Sequence, residues 1–577
     1  MNRYAAPQKE IRFVLEDLLG FDAHYSGLPS GVSLDLVEAV VEGASRFSER
    51  ELAPLRSTGD REGCRLLDGS VIAPTGFKEA YRKYAEDGWP SLNGHAAFGG
   101  QGLPPSVGTI VAEIMSGANL AWAMYPGLSQ GSIAVIARHG SSAQKAEYLA
   151  KLISGEWTGT MCLTEPHAGS DLGLLSTKAV PNADGSYRIE GTKIFISAGD
   201  HDLAENIVHL VLARVPGAPR GTRGISLFIV PKYLNGRRNN VLCTSLEDKM
   251  GIHAASTCTL SFDGARGFLV GAENAGLRCM FTMMNSARLG VGVQSVGLME
   301  AGYQDSLRYA QERRQMRSLA GPSDPNHPAD RIIMHADVRR MLLTQRAFVE
   351  GSRALIYFLA QLLDVSNDSS EAGQQAGRLL DLMTPIAKGF VTEIGFESVN
   401  LALQVFGGHG YIRENGMEQL VRDARITMLY EGTTQIQALD LLGRKVVASR
   451  SDGLSELLML LRREAAVSEF PQLGVYAELW QDLSSRVGEL SVENLHEIGA
   501  ASVDYLMFAG YVSLAYFWSR MARAAEQNDE FSRGKRATAE FYFKRLMPRA
   551  EAHRQAIFAG AETLMRIQPA EFAESRG

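Results

Sequence analysis

The sequence predicts an α+β fold in which helices and strands are segregated along the chain. Three observations predict it. Apolar residues recur at helical spacing from about residue 35 to about 160. From 161 to about 270 the texture changes to short runs rich in Ile, Val, Leu and Phe, bounded by turn residues. After about 275 helical periodicity returns and persists. Alternating strands and helices would point to a Rossmann fold, and this order does not. With 577 residues the chain is long enough for three or four domains with their own cores.

The elements follow in order. "IRFVLEDLLG", from Ile11, is interrupted by Arg12, Glu16 and Asp17 and reads as an amphipathic helix rather than a signal peptide. The uncharged run Ile114–Ala137 contains Ser116, Gly117, Asn119, Pro126, Gln130 and Ser132. A membrane helix is more uniformly apolar, so two buried helices broken near "YPG" are expected, with no stable membrane insertion. "FGGQGLPPS" (Phe98 to Ser106) is a loop. In "HGSSAQKAEYLAKLISGEW", Ser141 and Gln144 have capping-box spacing, Tyr148, Leu149 and Leu152 share a face, and Gly155 can end the helix. "SYRIEGTKIFIS", "NIVHLVLARV" and "GISLFIV" read as strands, Asp184-Gly185 as a hairpin and "NGRRNN" as another turn. "SRSDG" (Ser449 to Gly453) reads as a linker to a helical tail. There Tyr505–Ser519 is expected to be a buried helix, and the basic cluster "RGKR" and "FKRLMPR" a solvated helix face.

Composition excludes several classes. Hydrophobic residues at 45% and charged residues at 21% are ordinary globular values. Net charge −7 and pI ≈ 6.0 argue against a nucleic-acid partner. Five scattered cysteines without a CxxC pair argue against a disulfide framework and fit a cytoplasmic protein. The 12 histidines show no ligand spacing, and no metal is expected. "GVGVQSVG" (Gly290 to Gly297) lacks the preceding strand of a dinucleotide fingerprint, and its small residues suit close helix packing.

The chemistry concentrates in a few segments. "MCLTEPHAGSD", Met161 to Asp171, offers hydroxyls and open backbone N–H groups within a short reach, as a cofactor's heteroatom edge and phosphates require. An ordinary turn with a Glu-Pro kink explains the same residues. This segment resembles the flavin-binding motif of the acyl-CoA dehydrogenases. Four more segments follow in that family's order: "KIFIS" (Lys193 to Ser197), "YAQERRQM" (Tyr309 to Met316), "LQVFGGHGY" (Leu403 to Tyr411) and "LYEGTTQIQ" (Leu429 to Gln437). The resemblance spans about 40 to 450, and over a hundred further residues resemble the family's long bacterial form, which includes enzymes for 3-methylmercaptopropionyl-CoA and for longer fatty acyl-CoAs.

The resemblance implies an N-terminal helical domain (41–160) after an extension (1–40), a β-barrel-like middle domain (161–275), a C-terminal helical bundle (276–450) and an additional helical domain (451–577). It implies FAD, bound by Met161, Leu163, Thr164, Gly169, Ser170, Phe195, Ile196, Ser197, Arg313, Gln315, Gln404, Val405, Gly407, Gly408, Thr433 and Gln435. Phe195 is implied to cover the flavin ring, Ser197 to bond near its N5, and Arg313 to reach the pyrophosphate. Acyl-CoA is implied to meet Ser170, Asn285, Arg288, Tyr430 and Gly432. Glu431 is implied to remove the α-proton of a thioester while the flavin takes the β-hydrogen, giving the trans-2-enoyl-CoA. Its backbone N–H is implied to hold the enolate oxygen. The one other place where relatives carry the base is Ala287 here. A medium- to long-chain fatty acyl-CoA is the expected substrate, with 3-methylmercaptopropionyl-CoA, or oxidase chemistry with oxygen, as alternatives. Electron-transferring flavoprotein is the implied acceptor and a homodimer the implied assembly.

Overall fold

Segregated helices and strands are what the computed structural model shows, over described residues 4–449 and 452–573. The chain divides into two units. The first holds Asp35–Gly290 with Glu418–Asp423. The second holds Pro7–Leu34, Val291–Met417 and the chain from Ala424.

The first unit begins with helices. Ser142–Ser154 starts on the reciprocal Ser141–Gln144 capping box and stops at Gly155, whose φ of +80° satisfies the left-handed cap. Pro105–His139 is one long helix with its break at Asn119 (φ −160°, ψ 91°), not at "YPG". Asn119 makes the break by acting as an internal cap. Its Oδ1 accepts from Trp122 N (3.1 Å) and its Nδ2 donates to Leu52 O (3.2 Å). Pro126 lies inside the restarted helix, well beyond Asn119, and does not break it.

The middle of this unit is the β-barrel-like domain. After a small hairpin, β1 (Arg65–Leu67) and β2 (Ser70–Ile72), come β3 (Trp157–Cys162), β4 (Lys178–Pro181), β5 (Tyr187–Ser197), β6 (Asn206–Ala213) and β7 (Ser226–Pro231). The two-residue strands β8 (Tyr233–Leu234) and β9 (Arg237–Arg238) turn at Asn235-Gly236, and β10 (Val241–Leu246) and β11 (Thr257–Val270) complete the set. The order is β3-β6-β7-β11-β5-β4, with β10 also on β11. The long β11 pairs with β5 and β10 at its start and with β7 at its end, so it belongs to both halves of the sheet. Closure comes from Arg214 after β6: Ala179 N donates to its carbonyl (2.8 Å) and its N–H to Thr177 O (2.9 Å). Every residue of β6 is buried, because Val211 and Ala213 face the barrel interior while Leu210 and Leu212 pack on Ile136, Tyr148 and Leu152 of the helices.

The second unit is helical. Ala336–Val365, Glu371–Pro385 and Val391–Phe406 pack with the tail helices Asp452–Val467, Gln472–Glu493, His496–Ala524 and Glu530–Phe541. Close approach needs small residues. A Cβ on Gly510 would lie 2.0 Å from the Phe390 ring, and one on Gly292, within "GVGVQSVG", 2.7 Å from Ala387 O, so Gly292 serves helix packing, whereas Gly290 faces open space. The N-terminal segment through Leu34 belongs here: Arg520 donates to Leu18 O (2.7 Å) and His24 meets Asp364 (3.0 Å). The basic tail cluster departs from the expected solvated face. Lys535 is fully buried, paired with Glu10 and with Glu350 (2.9 Å), because an ammonium under the tail must be neutralised there. Burial pushes the Glu10 carboxyl up, and Glu350 stays low against burial beside Lys535 and Arg346. Arg549 likewise pairs with Glu397 (2.8 Å), while Lys544 is exposed. The expected linker at Ser449–Gly453 includes Arg450 and Ser451, which lie outside the described residues. Pro105–His139 and His496–Ala524 are long and apolar enough to cross a membrane, yet 83% and 67% of their apolar windows are buried inside the protein.

Candidate active site

In the first unit the segment after β3 is wrapped around one buried carboxylate. Glu165 accepts from Ser176 N (2.8 Å), Ser176 Oγ (2.7 Å), Thr177 N (3.0 Å) and Lys193 Nζ (2.8 Å). Lys193, from β5, also donates to Leu163 O (2.9 Å). Burial works against ionising Glu165, but the Lys193 ammonium and the converging hydrogen bonds hold its carboxyl at about 2. Glu165 and Ala168 exchange backbone hydrogen bonds (3.0 Å each), closing a tight turn in which Pro166 and His167 are exposed. The Glu-Pro kink is therefore an ion-paired turn.

Ile194 N donates to Thr164 O (2.9 Å), bringing "LTEPHAGSD" against the strand that carries Phe195, Ile196 and Ser197. In the ladder with β11, Ile196 pairs with Cys258 and Lys193 with Leu260, so Ile194 and Phe195 together oppose Thr259. This is a β-bulge, which re-aims the bulged side chain. Phe195 takes φ +59° and its ring is 59% exposed, an unusual state for a phenylalanine. Ala198 follows at φ +51°. Such left-handed non-glycine residues cost about 1–3 kcal/mol each and persist only where surroundings over-determine them. Met161 is half-buried, Leu163 and Ile196 are buried, and Gly169 and Ser170 are exposed. An added Cβ on Gly169 meets nothing within 4 Å, so that backbone is open. Asn285 and Arg288 lie three residues apart on the helix Gly276–Glu312, the first exposed and the second buried.

The second unit holds the remaining segments. Tyr309 stacks on Phe406 (4.1 Å, 16°) and its hydroxyl meets His409 Nδ1 (2.8 Å), which joins "YAQERRQM" to "LQVFGGHGY". Arg313 and Gln315 are exposed at the end of the helix, where Ile332 N caps Arg313 O (2.8 Å). The loop beyond them is gathered by Asp330, whose carboxylate accepts from the N–H groups of Ser318 (2.9 Å), Ser323 and Asp324 (3.0 Å each) and from Arg317 (3.3 Å). These donors, Ser318 N–H first, hold Asp330 well below the usual carboxylate range. Gln404 is exposed and Val405 buried, and a Cβ on Gly407 or Gly408 meets nothing within 4 Å.

Glu431 sits in a turn between Ile426–Met428 and the short helix Thr434–Leu439. It is at φ +56°, and Gly432 follows at +93°. Gln437 Nε2 donates to Glu431 O (3.0 Å) and Lys388 Nζ to Gly432 O (2.5 Å). Thr433 caps the helix by accepting from Ile436 N (3.4 Å), and Thr434 Oγ1 donates to Glu393 (2.5 Å). Tyr430 OH donates to Gln294 (2.5 Å), and Gln435 is exposed. The turn itself demands the glycine: besides its φ, a Cβ on Gly432 would lie 2.7 Å from Gln437 Nε2.

Comparison with known proteins decides the family. Family models match in succession: the acyl-CoA dehydrogenase N-terminal domain at residues 36–156, its middle domain at 160–265, its C-terminal domain at 274–446, and an acetyl-CoA dehydrogenase C-terminal-like domain at 453–568. The chain belongs to the acyl-CoA dehydrogenase family. It is 42% identical to 3-methylmercaptopropionyl-CoA dehydrogenase of Ruegeria pomeroyi, over 97% of this chain and 99% of that one. It is 34% identical to the broad-specificity linear acyl-CoA dehydrogenase FadE5 of Mycobacterium tuberculosis, over 99% and 100%. An acyl-CoA dehydrogenase structure from Bacillus anthracis, complexed with FAD, shares the fold at TM-score 0.74 and 21% identity, covering 96% of this chain and 91% of that one. As a member of this family the protein is a flavin-dependent oxidoreductase whose cofactor is FAD.

Four residues of this family member organise the segments without having been singled out as site residues: Glu165, Lys193, Lys388 and Gln437. Lys193 and Lys388 carried a signal, each being a charged residue at an inward position of an otherwise apolar run. Glu165 and Gln437 stood inside quoted motifs, but their partners are set by loop geometry that spacing does not report.

Proposed function

We propose that the protein oxidises an acyl-CoA thioester to its trans-2-enoyl-CoA, with Glu431 as the base that removes the α-proton. The observation that carries the reading is the left-handed turn at Glu431. A glutamate in that backbone, followed by a glycine the turn requires, is strained, and strain of this kind gathers at functional sites.

The residues present fit FAD. The exposed Phe195 ring offers an apolar cover, Ser197 on the same strand and Thr164 on the segment bonded to it offer hydroxyls, and the open backbone at Gly169 offers N–H groups. Arg313 supplies a cation for a pyrophosphate, with Gln315 beside it. Gln404, Val405, Gly407 and Gly408 offer open backbone for the adenosine end, and Thr433 and Gln435 the start of a helix. When bound, FAD supplies the two-electron oxidant. Glu431 takes the α-proton on its carboxylate, and its own N–H is the donor proposed for the thioester oxygen as charge develops there. Ser170, Asn285, Arg288, Tyr430 and Gly432 are the proposed acyl-CoA contacts.

A medium- to long-chain fatty acyl-CoA is the substrate class we favour. 3-Methylmercaptopropionyl-CoA is the second reading, favoured by the 42% identity to a dehydrogenase of that name over nearly the whole chain. Electron-transferring flavoprotein as acceptor, rather than oxygen, a homodimeric assembly and a cytoplasmic setting complete the proposal. Anaerobic bleaching of the flavin by a panel from 3-methylmercaptopropionyl-CoA to palmitoyl-CoA tests substrate class. Glu431→Gln is expected to keep FAD and lose bleaching. Bleaching at the wild-type rate by that variant would refute the base.

A further inference from the structure

The geometry points to Lys388 and Gln437 as positioning residues that hold the Glu431–Gly432 turn in its reactive shape, an inference that rests on reading Glu431 as the base. Two consecutive residues here have positive φ, +56° and +93°. Nothing in the side chain of a glutamate favours that backbone. What fixes it must come from outside the turn, and each of its two carbonyls is taken by a buried donor. Gln437 reaches back from the helix Thr434–Leu439 to Glu431 O (3.0 Å). Lys388 reaches in from the stretch Ile386–Phe390 to Gly432 O (2.5 Å). Both side chains are 0% exposed.

The capture of these carbonyls has a directional consequence. A peptide is planar, so fixing Glu431 O fixes the ψ of Glu431 and the direction of the next N–H. Fixing Gly432 O does the same one residue on. Together they fix the two peptides that follow Glu431 and, through them, the direction of its Cα–Cβ bond. The proposed mechanism asks the carboxylate on that side chain to meet the α-carbon of a thioester. The two donors therefore act on orientation rather than on substrate contact. The glycine belongs to the same device, since a Cβ at 432 would lie 2.7 Å from the Gln437 amide nitrogen.

Lys388→Met and Gln437→Leu keep volume and remove the donor. Each is purified with FAD, its visible spectrum and melting recorded, and then mixed anaerobically with the acyl-CoA that bleaches the wild type fastest, beside Glu431→Gln. The expected result is FAD retained, half-saturating acyl-CoA nearly unchanged, and a limiting bleaching rate lower by about 100-fold, the scale of a misplaced reacting group. Release of α-deuterium from labelled acyl-CoA should slow in parallel. Bleaching at the wild-type rate in both variants overturns the inference. So does weaker acyl-CoA binding with an unchanged limiting rate. If one variant does not yield FAD-loaded protein the other carries the test, and failure of both assigns them to the core and overturns it too. Wild-type bleaching by Glu431→Gln instead removes the base itself, a separate outcome.

Discussion

Phe195 and Glu431 share a backbone oddity and differ in what sustains it. Both are non-glycine residues at left-handed φ, +59° and +56°. Phe195 lies in a bulge of a sheet ladder, so neighbouring backbone pairs on β11 hold it on either side. The loop it meets is closed by the Glu165–Lys193 pair. Glu431 lies in a turn whose two carbonyls are held by side chains, Gln437 nearby and Lys388 more than forty residues earlier. On the Phe195 side an anion collects N–H groups, and on the Glu431 side donors collect carbonyls. The first arrangement is cooperative and charge-dependent, and the second depends on two individual side chains.

The largest expected effect attacks the charge. Lys193→Met leaves Glu165 buried without its cation, and breaking such a pair costs about 3–5 kcal/mol. Denaturant unfolding should show that loss, and FAD should dissociate more readily. A fall within about 0.5 kcal/mol would mean that the three Ser176 and Thr177 donors suffice alone.

Acid should separate the two sides next. Glu165 is held at about 2, below its ordinary 4.5. A depressed carboxyl contributes stability that is fully present above its unfolded value and is lost as pH falls through its folded one. The β domain should therefore weaken between about pH 4.5 and 2, by up to about 3 kcal/mol, and Lys193→Met should flatten that dependence. Amide exchange across Thr164 to Ser197, followed against pH, would show it. An unchanged slope in the variant would sever the ion pair from the acid response.

Sequence carried these two sides unequally. The Ser141–Gln144 capping box and the mostly apolar β6 are legible because each depends on neighbours in the chain or on one periodicity. Proline is a louder signal than Asn119, whose side-chain cap uses Leu52 from a separate helical stretch, so the sequence points to "YPG" while Pro105–His139 breaks at Asn119. Lys535 reads as a solvated residue because Glu10 and Glu350, which neutralise it, are far away in the chain. Lys388 is hidden in the same way on a shorter scale, its partner Gly432 O lying on a separate element more than forty residues on. Motif order pointed to Glu431, yet motif order says nothing of what keeps its φ positive.

Smaller changes probe the Glu431 turn. Gly432→Ala places a Cβ at φ +93° and 2.7 Å from Gln437 Nε2, so it should cost about 2 kcal/mol and disturb the turn. Turnover should fall further than stability, because the amide that must move is the one holding Glu431 O. Equal melting and equal turnover to wild type would show that the turn has slack.

The smallest expected effect comes from relieving the strain at Phe195. Phe195→Gly removes the left-handed penalty, but it also frees the unfolded chain, and the two terms are each about 1 kcal/mol with opposite sign. Stability should stay within about 1 kcal/mol of wild type, since a ring already 59% exposed gives up little burial. FAD affinity should fall all the same if the ring's purpose is to cover the flavin. A variant equally stable and equally tight for FAD would show that the bulge aims Phe195 at something else. The contrast with Gly432→Ala is the point: the bulge tolerates loss of its side chain because the ladder sets its backbone, whereas the turn does not tolerate an added methyl because a side chain sets its own.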